Sequence, residues 1–387
     1  VDFSLSPDQE AFRDTIRSFV DREIRPVARE WEHSGREPTE IVEGMAALGL
    51  FGMTVPPDYG GLGLDLVSMA IVFEELSRVW MGIAGILGSH SLSCWMLARH
   101  GTPEQRQRWL GDLATGKRRS GIALTEPDAG SDLQGIRTRA RREGDHYVID
   151  GTKIWITNAR HADPLPVLVK TDPDANPPHR GMSVILVEQG TPGFSVERDL
   201  PKVGYKGTES CEVVFSGCSV PAENLLGGIE GRGMQQVLSA LEIGRLNVAA
   251  RSVGIAQGSL DLALDYAAAR HAFGRPIRDF QAIQLRLADM ATEVEAARLL
   301  TYWAAWRAEQ AERADLETGM AKLFASEVAI RAATNGMRIH GGYGYSQEFD
   351  IERLWRDSIL MAVGEGTSDI LRTVIARRLH PEPPRPG

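Results

Sequence analysis

Cysteine is scarce in this 387-residue chain, which holds three, Cys94, Cys211 and Cys218, with no CxxC spacing. An odd, scattered set excludes a disulfide framework and suits a reducing compartment, so a cytoplasmic location is the expectation and no metal site is expected. No stretch runs to 18 uninterrupted apolar residues, which argues against a membrane span. The start, "VDFSLSPDQEAFRDTIRSFVDREI", reads as a capped amphipathic helix and not as a signal peptide. A concentrated Lys/Arg stripe is missing and the net charge is -9, which removes a nucleic-acid footprint while leaving local arginines for an anionic cofactor. Standard phosphate loops are missing too. "YGGLGLDL" and "GGIEGRGMQQ" lack a third glycine, and "GKRRS" lacks the upstream glycine spacing of a P-loop. There is no repeat at solenoid periods and no low-complexity tract besides the tail "HPEPPRPG". What remains, 43% hydrophobic and 25% charged, is an ordinary globular composition with length for two or three domains.

Texture divides the chain into three. Residues 1–120 are helical, with Phe12, Ile16, Phe19 and Val20 at helical spacing and breakers at "PPDYGGLGLD" and "HGTPEQ". Residues 121–235 change to strands: "HYVIDGTKIWIT" predicts a hairpin turning at Asp150-Gly151, followed by "LPVLVKTD", "GMSVILVEQG" and "SCEVVFSGCSV". Residues 236–387 return to helix, with one apolar stripe through Ile283, Leu287, Met290, Val294, Ala297 and Leu300. Helix, sheet, helix in that order cannot build a βαβ parallel sheet, so a Rossmann fold is not expected. The fold class is α+β, mostly α.

Two places invite chemistry. In "LMAVGEGTSDILR", Glu365 stands between Gly364 and Gly366, either as a turn capped by a solvated carboxylate or as a carboxylate pressed against a flat ligand. "IALTEPDAGSD" and "KIWITN" pair Thr125 and Ser131 with Trp155 and Thr157, the mixture of hydroxyls and aromatic surface that a flavin ring needs. Taken singly, Thr is also a good strand residue and Trp a good core residue.

These motifs, with "RHAFGRPI", "IHGGYGYSQEFDIERLWRD" and "EGTSDILR", occur in an order and spacing that resembles the acyl-CoA dehydrogenase family over essentially the whole chain. The resemblance implies a helical N-terminal domain, a middle β-barrel or sandwich domain and a C-terminal four-helix bundle, assembled as a homotetramer, a dimer of dimers. It implies FAD between subunits, an acyl-CoA substrate and electron delivery to an electron-transferring flavoprotein. Carried over by position, Glu365 is the base that takes the α proton, the β hydrogen passing as hydride to flavin N5. Thr125, Ser131, Trp155, Thr157 and Thr367 fall on the flavin side, and Arg270, Phe273, Arg338, Gly341 and Gly342 on the FAD of a neighbouring subunit. Ser131, Glu242, Arg245, Gly364 and Gly366 fall on the substrate side. In relatives the thioester oxygen is held by the N–H of the catalytic glutamate, which glycine neighbours leave accessible.

The chain departs from its relatives in informative places. Arg338 replaces a frequent Gln, and a guanidinium donates but does not accept. Asp369 replaces a frequent Gln or Asn. Some relatives carry the base immediately before the family arginine; here that position is Gly244. Gly364 stands where several straight-chain enzymes have a bulky aromatic, and His90 and Trp95 lie on the segment that closes the acyl pocket in relatives, so a short, branched or functionalised acyl group is expected. For His90 and Trp95 themselves plain helix packing is the favoured reading. Rival readings are an oxygen-using flavoenzyme of the same fold, an enoyl-thioester reductase, an acyl-carrier-protein-linked dehydrogenase and a binding subunit without turnover. Retention of Glu365 and the flavin hydroxyls argues against the first and last.

Overall fold

A computed structural model describes residues 4–311 and 313–379; the Pro-rich tail lies outside the described residues. Six helices open the chain: α1 (Pro7–Phe19), α2 (Ala28–Ser34), α3 (Thr39–Ala47), α4 (Leu66–Ser77), α5 (Met81–His100) and α6 (Pro103–Ala114). Their starts follow local chemistry. Ser6 with Gln9 and Thr102 with Gln105 each form a reciprocal capping box followed by Pro at the first helical position, and Asp65 accepts from Ser68 N–H to open α4. The expected apolar face of α1 is there, with Ile16, Phe19 and Val20 buried. Among the described residues, α5 alone has the length and apolarity of a membrane span, but most of it is buried against α4, α6 and α7, which makes it a core helix.

The strands are β1 (Arg139–Glu143), β2 (His146–Ile156), β3 (Leu165–Lys170), β4 (Met182–Val187), β5 (Phe194–Asp199) and β6 (Cys211–Pro221), in one sheet of order β4-β3-β1-β2-β6-β5. The expected hairpin at Asp150-Gly151 is corrected by this sheet. β2 runs unbroken through that pair, and the turn lies earlier, at Gly144-Asp145 between β1 and β2. Asp150-Gly151 is a bulge opposite β6, where Asp150 Oδ1 accepts from Gly217 N–H at 2.8 Å. Gly151 has φ 152° and packs so tightly that a Cβ would lie 2.4 Å from Thr138 Oγ1. A bulge and a tight turn ask for the same two residue types, so the local signal did not separate them.

The C-terminal part holds α7 (Gly233–Ala269), a two-residue ribbon β7 (His271–Ala272) and β8 (Arg275–Pro276), α8 (Gln281–Gln310), α9 (Asp315–His340), α10 (Ile351–Val363) and α11 (Ser368–Leu379). α7 packs on α8 and α9, and also on α4 and α5, so the first and last helical regions share a core that includes Leu76, Ile83, Leu246, Val253, Met290 and Val294. Residues Ile243 to Ala256 of α7 are buried without a break. That makes α7 the axis on which the candidate site is built.

Candidate active site

Glu365 sits on the short link between α10 and α11. Gly364 ends α10, its N–H donating to Leu360 O at 2.8 Å, and Thr367 Oγ1 opens α11 by accepting from Ile370 N–H at 3.2 Å. Between them Glu365 has φ 57° and Gly366 φ 94°. A non-glycine residue held left-handed costs of order 1 kcal/mol or more, and such strain concentrates where a side chain must be aimed. Gly366 is required first by its own φ, since a Cβ there would meet nothing closer than Leu371 Cδ2 at 3.8 Å. The Glu365 main chain and stem are part-exposed, whereas carboxylate Oε2 is buried with no hydrogen-bond partner. Its N–H also donates to no protein acceptor among the described residues.

The carboxylate points at α7. A Cβ at Gly244 would lie 2.5 Å from Glu365 Oε2 and 3.1 Å from Leu92 Cδ2 of α5, so only glycine leaves room for the carboxylate in this position. Position 244 and the Glu365 carboxylate therefore meet at one point in space. Burial pushes the Glu365 carboxyl above its ordinary range, opposed by the charges of Arg251, Lys322 and Arg245. Lys322 was not anticipated. It is fully buried on α9, and its Nζ donates to Gly366 O at 2.7 Å, clamping the link next to the base. Burial pushes the Lys322 ammonium down to about 8, with Glu365 working in the opposite direction.

A test follows from this clamp. Lys322→Met removes both the bond to Gly366 O and a charge that favours ionised Glu365. The acidic limb of the pH profile of a reaction that uses Glu365 as its base is expected to move to higher pH, and the rate at neutral pH to fall roughly tenfold. An unmoved limb in a variant that reacts more slowly would restrict Lys322 to holding the link.

The residues expected around the flavin ring are brought together. Ile154 N–H donates to Thr125 O at 2.9 Å, so the "ALTEP" segment runs beside the end of β2, which carries Trp155 and leads directly into Thr157. Trp155 has φ 65° and is 54% exposed, and neither threonine hydroxyl has a protein partner among the described residues. Beneath them lies an ion pair that the motifs contain but pattern reading passed over. Lys153, fully buried, donates to Leu124 O and to Glu126 Oε1, both at 2.9 Å, straddling Thr125. Glu126 also accepts from Arg137 N–H and Thr138 N–H. Burial alone would raise the Glu126 carboxyl; Lys153 and these donors hold it below its ordinary range, while burial pushes Lys153 down to about 8. Asn158, at φ 62°, donates to Ile86 O and Ser120 O and ties the end of the motif to α5. An open aromatic face beside unpaired hydroxyls, on a rigid buried base, fits a flavin ring.

A second group lies elsewhere. Phe273 and Gly274, at φ 52° and 82°, form the two-residue turn between β7 and β8, which leaves Phe273 96% exposed at its tip. Positive φ at both positions is the type I′ requirement, and Gly274 meets it without strain whereas Phe273 does not. Arg270, at the end of α7, lies over the Tyr343 ring at 5.7 Å and so joins the segment of Gly341 and Gly342; Arg338, also exposed, is in the last turn of α9. Arg270 is twenty-five residues along α7 from Arg245, roughly 37 Å at 1.5 Å per residue. The Arg270 group and the Glu365 group are thus at different ends of one long helix.

Other expectations resolve individually. Glu242 accepts from Ala314 N–H at 3.4 Å, which places it at the start of α9, and burial raises its carboxyl. His90 packs in the core: Ser120 N–H donates to its Nδ1 and its Nε2 meets Phe51 O, both at 3.1 Å, while burial pushes the imidazole down to about 4. Trp95 packs part-buried against the core, with Arg99 over its ring at 5.9 Å. Ser131 is on an exposed loop, and a Cβ at Gly364 would be in ordinary contact with Leu360 O at 3.5 Å. The cluster Glu32, His33 and Glu352 has the look of metal ligands, but Arg356 already pairs with both carboxylates at 2.6 Å.

Comparison with known proteins matches three family models in succession: acyl-CoA dehydrogenase N-terminal domain over residues 6–117, middle domain over 121–218 and C-terminal domain over 231–380. A (2S)-methylsuccinyl-CoA dehydrogenase of Cereibacter sphaeroides is 40% identical over 97% of this chain and 70% of its own length. An acryloyl-CoA reductase (NADH) of Anaerotignum propionicum is 39% identical over 98% of this chain and 96% of its own. The solved butyryl-CoA dehydrogenase of Megasphaera elsdenii superposes with a TM-score of 0.94 at 35% identity, over 98% of this chain and all of that one.

Proposed function

Because the chain belongs to the acyl-CoA dehydrogenase family, FAD-dependent oxidoreductases acting on CH–CH bonds, we propose that Glu365 is the base of an α,β-dehydrogenation of an acyl-CoA thioester. The observation that carries this reading is a buried, unpartnered carboxylate, held left-handed and aimed at the gap left by Gly244. The α proton of a thioester is weakly acidic, so a base must be close, aimed and poorly solvated, and the carbonyl oxygen needs a fixed donor. Glu365 supplies the base and its free N–H the donor. As the proton moves to Glu365, the β hydrogen leaves with its electron pair and a trans-2-enoyl thioester remains. FAD, when bound, accepts that hydride; Thr125, Trp155 and Thr157 orient its ring and exclude water from one face.

Arg270, Phe273, Arg338, Gly341 and Gly342 serve the FAD of a neighbouring subunit in a homotetramer. The length of α7 between them and Glu365 supports this, since one dinucleotide does not span both groups. An electron-transferring flavoprotein is the electron acceptor. A second reading, reduction of an enoyl thioester, has the support of the acryloyl-CoA reductase relative, and the same base then returns the proton.

Anaerobic addition of acyl-CoA thioesters to the FAD-loaded protein tests both readings. Bleaching of the flavin absorbance with formation of enoyl-CoA is expected for the dehydrogenase. Reoxidation of the pre-reduced flavin by enoyl-CoA, with no bleaching by any saturated thioester, would favour the reductase. Rapid peroxide release in air would favour an oxidase.

A further inference from the structure

Three buried cations, Arg245, Arg251 and Lys322, face the single carboxylate of Glu365, and two of them, Arg245 and Arg251, have a buried Nε with no hydrogen-bond partner. Lys322 holds Gly366 O, and Arg245 lies in the field of Glu242 and Asp315 as well as Glu365. Arg251 is 6% exposed within the unbroken buried stretch of α7. Its Nε has no partner, and its single hydrogen bond is a long one from Nη1 to Met81 Sδ at 3.9 Å. No carboxylate forms an ion pair with it among the described residues. A buried guanidinium without an ion pair is costly to keep charged, and an arriving anion offsets that cost.

Helix geometry says where that anion would be. Arg251 is seven residues from Gly244, two turns along the same face of α7, roughly 10.5 Å further on. Gly244 is the residue that faces the Glu365 carboxylate. Met81, which Arg251 touches, belongs to a largely apolar cluster with Tyr205, Val248, Ile255, Leu354 and Met361, and Leu360 packs against it. α10, which carries Leu360 and Met361, ends at the link that holds Glu365. The region next to the base therefore combines largely apolar sides with a guanidinium that has no ion pair of its own and whose charge acts on Glu365, so the span between the two is that of a short chain.

Resting on the proposed dehydrogenation, we infer that the acyl group carries a carboxylate at its far end and that Arg251 binds it. A guanidinium fork suits a carboxylate in a bidentate pair, which gives direction as well as attraction. With such a substrate, two anions, Glu365 and the acyl carboxylate, lie among the three cations. The neutral analogue leaves Arg251 without its partner, and a site built for a polar group rejects an analogue lacking it.

The test uses the FAD-loaded enzyme under anaerobic conditions with matched pairs of thioesters. Glutaryl-CoA is set against valeryl-CoA, and 2-methylsuccinyl-CoA against 2-methylbutyryl-CoA. At least one carboxylated member is expected to bleach the flavin with kcat/KM roughly 100-fold or more above its neutral counterpart. Arg251→Gln and Arg251→Met are expected to shift that ratio by roughly 100-fold towards the neutral thioester, mostly through KM, with FAD content unchanged. Preference of the unaltered enzyme for both neutral members overturns the inference without touching the proposed reaction. So does an equal loss on both members of a pair in the variants, or loss of FAD from them, which would make the cofactor the counter-ion. Absence of bleaching by every thioester, with none reoxidising the reduced flavin as its enoyl form, removes the proposed reaction and this inference together.

Discussion

Glu365→Gln is expected to give a protein that binds FAD as before and is not bleached by acyl-CoA, with flavin reduction slowed by about 10⁴-fold. The amide keeps the shape of the side chain and removes the basic site. Because Oε2 has no protein partner, the substitution breaks no hydrogen bond that supports the fold. Glu365→Asp retains the carboxylate but withdraws it by one methylene from the gap at Gly244, and a loss of about 10²-fold is expected from misplacement alone. The geometry also allows a rescue. A Cβ at position 244 would fall 2.5 Å from Glu365 Oε2, so a side chain from α7 starts where the carboxylate of Glu365 ends. Glu365→Gly combined with Gly244→Glu is therefore expected to recover part of the bleaching that Glu365→Gly loses. Stopped-flow absorbance at the flavin maximum reads all of these. Near-normal reduction in Glu365→Gln would show that another group takes the proton.

Much of this arrangement was legible in the chain. The division into helix, sheet and helix follows from periodicity, and the apolar stripe from Ile283 to Leu300 lies where its spacing put it, with Met290, Val294 and Ala297 buried. Thr125, Trp155, Thr157 and Glu365 stand in motifs whose order carries family information, and that order is preserved however the chain folds. What escaped were charges whose partners are distant in sequence. Lys153 and Glu126 belong to two separate motifs, Lys322 meets Gly366 from another helix, and Arg251 acts on Glu365 from α7 without forming an ion pair among the described residues. A weak signal was available: Lys322 lies between Ala321 and Ala325 on the buried side of α9, and Arg251 interrupts an apolar run of α7, places where a lone cation is costly. His90 is the opposite case, and packing is already the favoured reading of it from the sequence. A polar residue near a pocket in sequence satisfied both ring nitrogens in the core. The turn misplaced at Asp150-Gly151 shows the same limit, since only the β6 strand opposite reveals that the pair is a bulge.

Lys153→Met is expected to cause a large loss of stability, about 3–5 kcal/mol, together with loss of FAD. The Lys153 side chain is wholly enclosed and compensates Glu126, which is itself 7% exposed. Methionine fills much of the same space but leaves a buried carboxylate with only the N–H groups of Arg137 and Thr138. It also releases Leu124 O, and with it the segment on which Thr125 is carried beside Trp155. The stability loss and the cofactor loss therefore share one cause. Pairing the substitution with Glu126→Gln separates them, because the glutamine carbonyl still accepts from a backbone donor and no uncompensated charge remains. The double variant is expected to regain most of the thermal stability while holding FAD more weakly, since the bond to Leu124 O is still missing. Thermal melts followed by flavin fluorescence and by far-UV circular dichroism give the two quantities on one sample. If the double variant were as unstable as Lys153→Met, the uncompensated charge would not be the cause, and packing around the lysine stem would take its place.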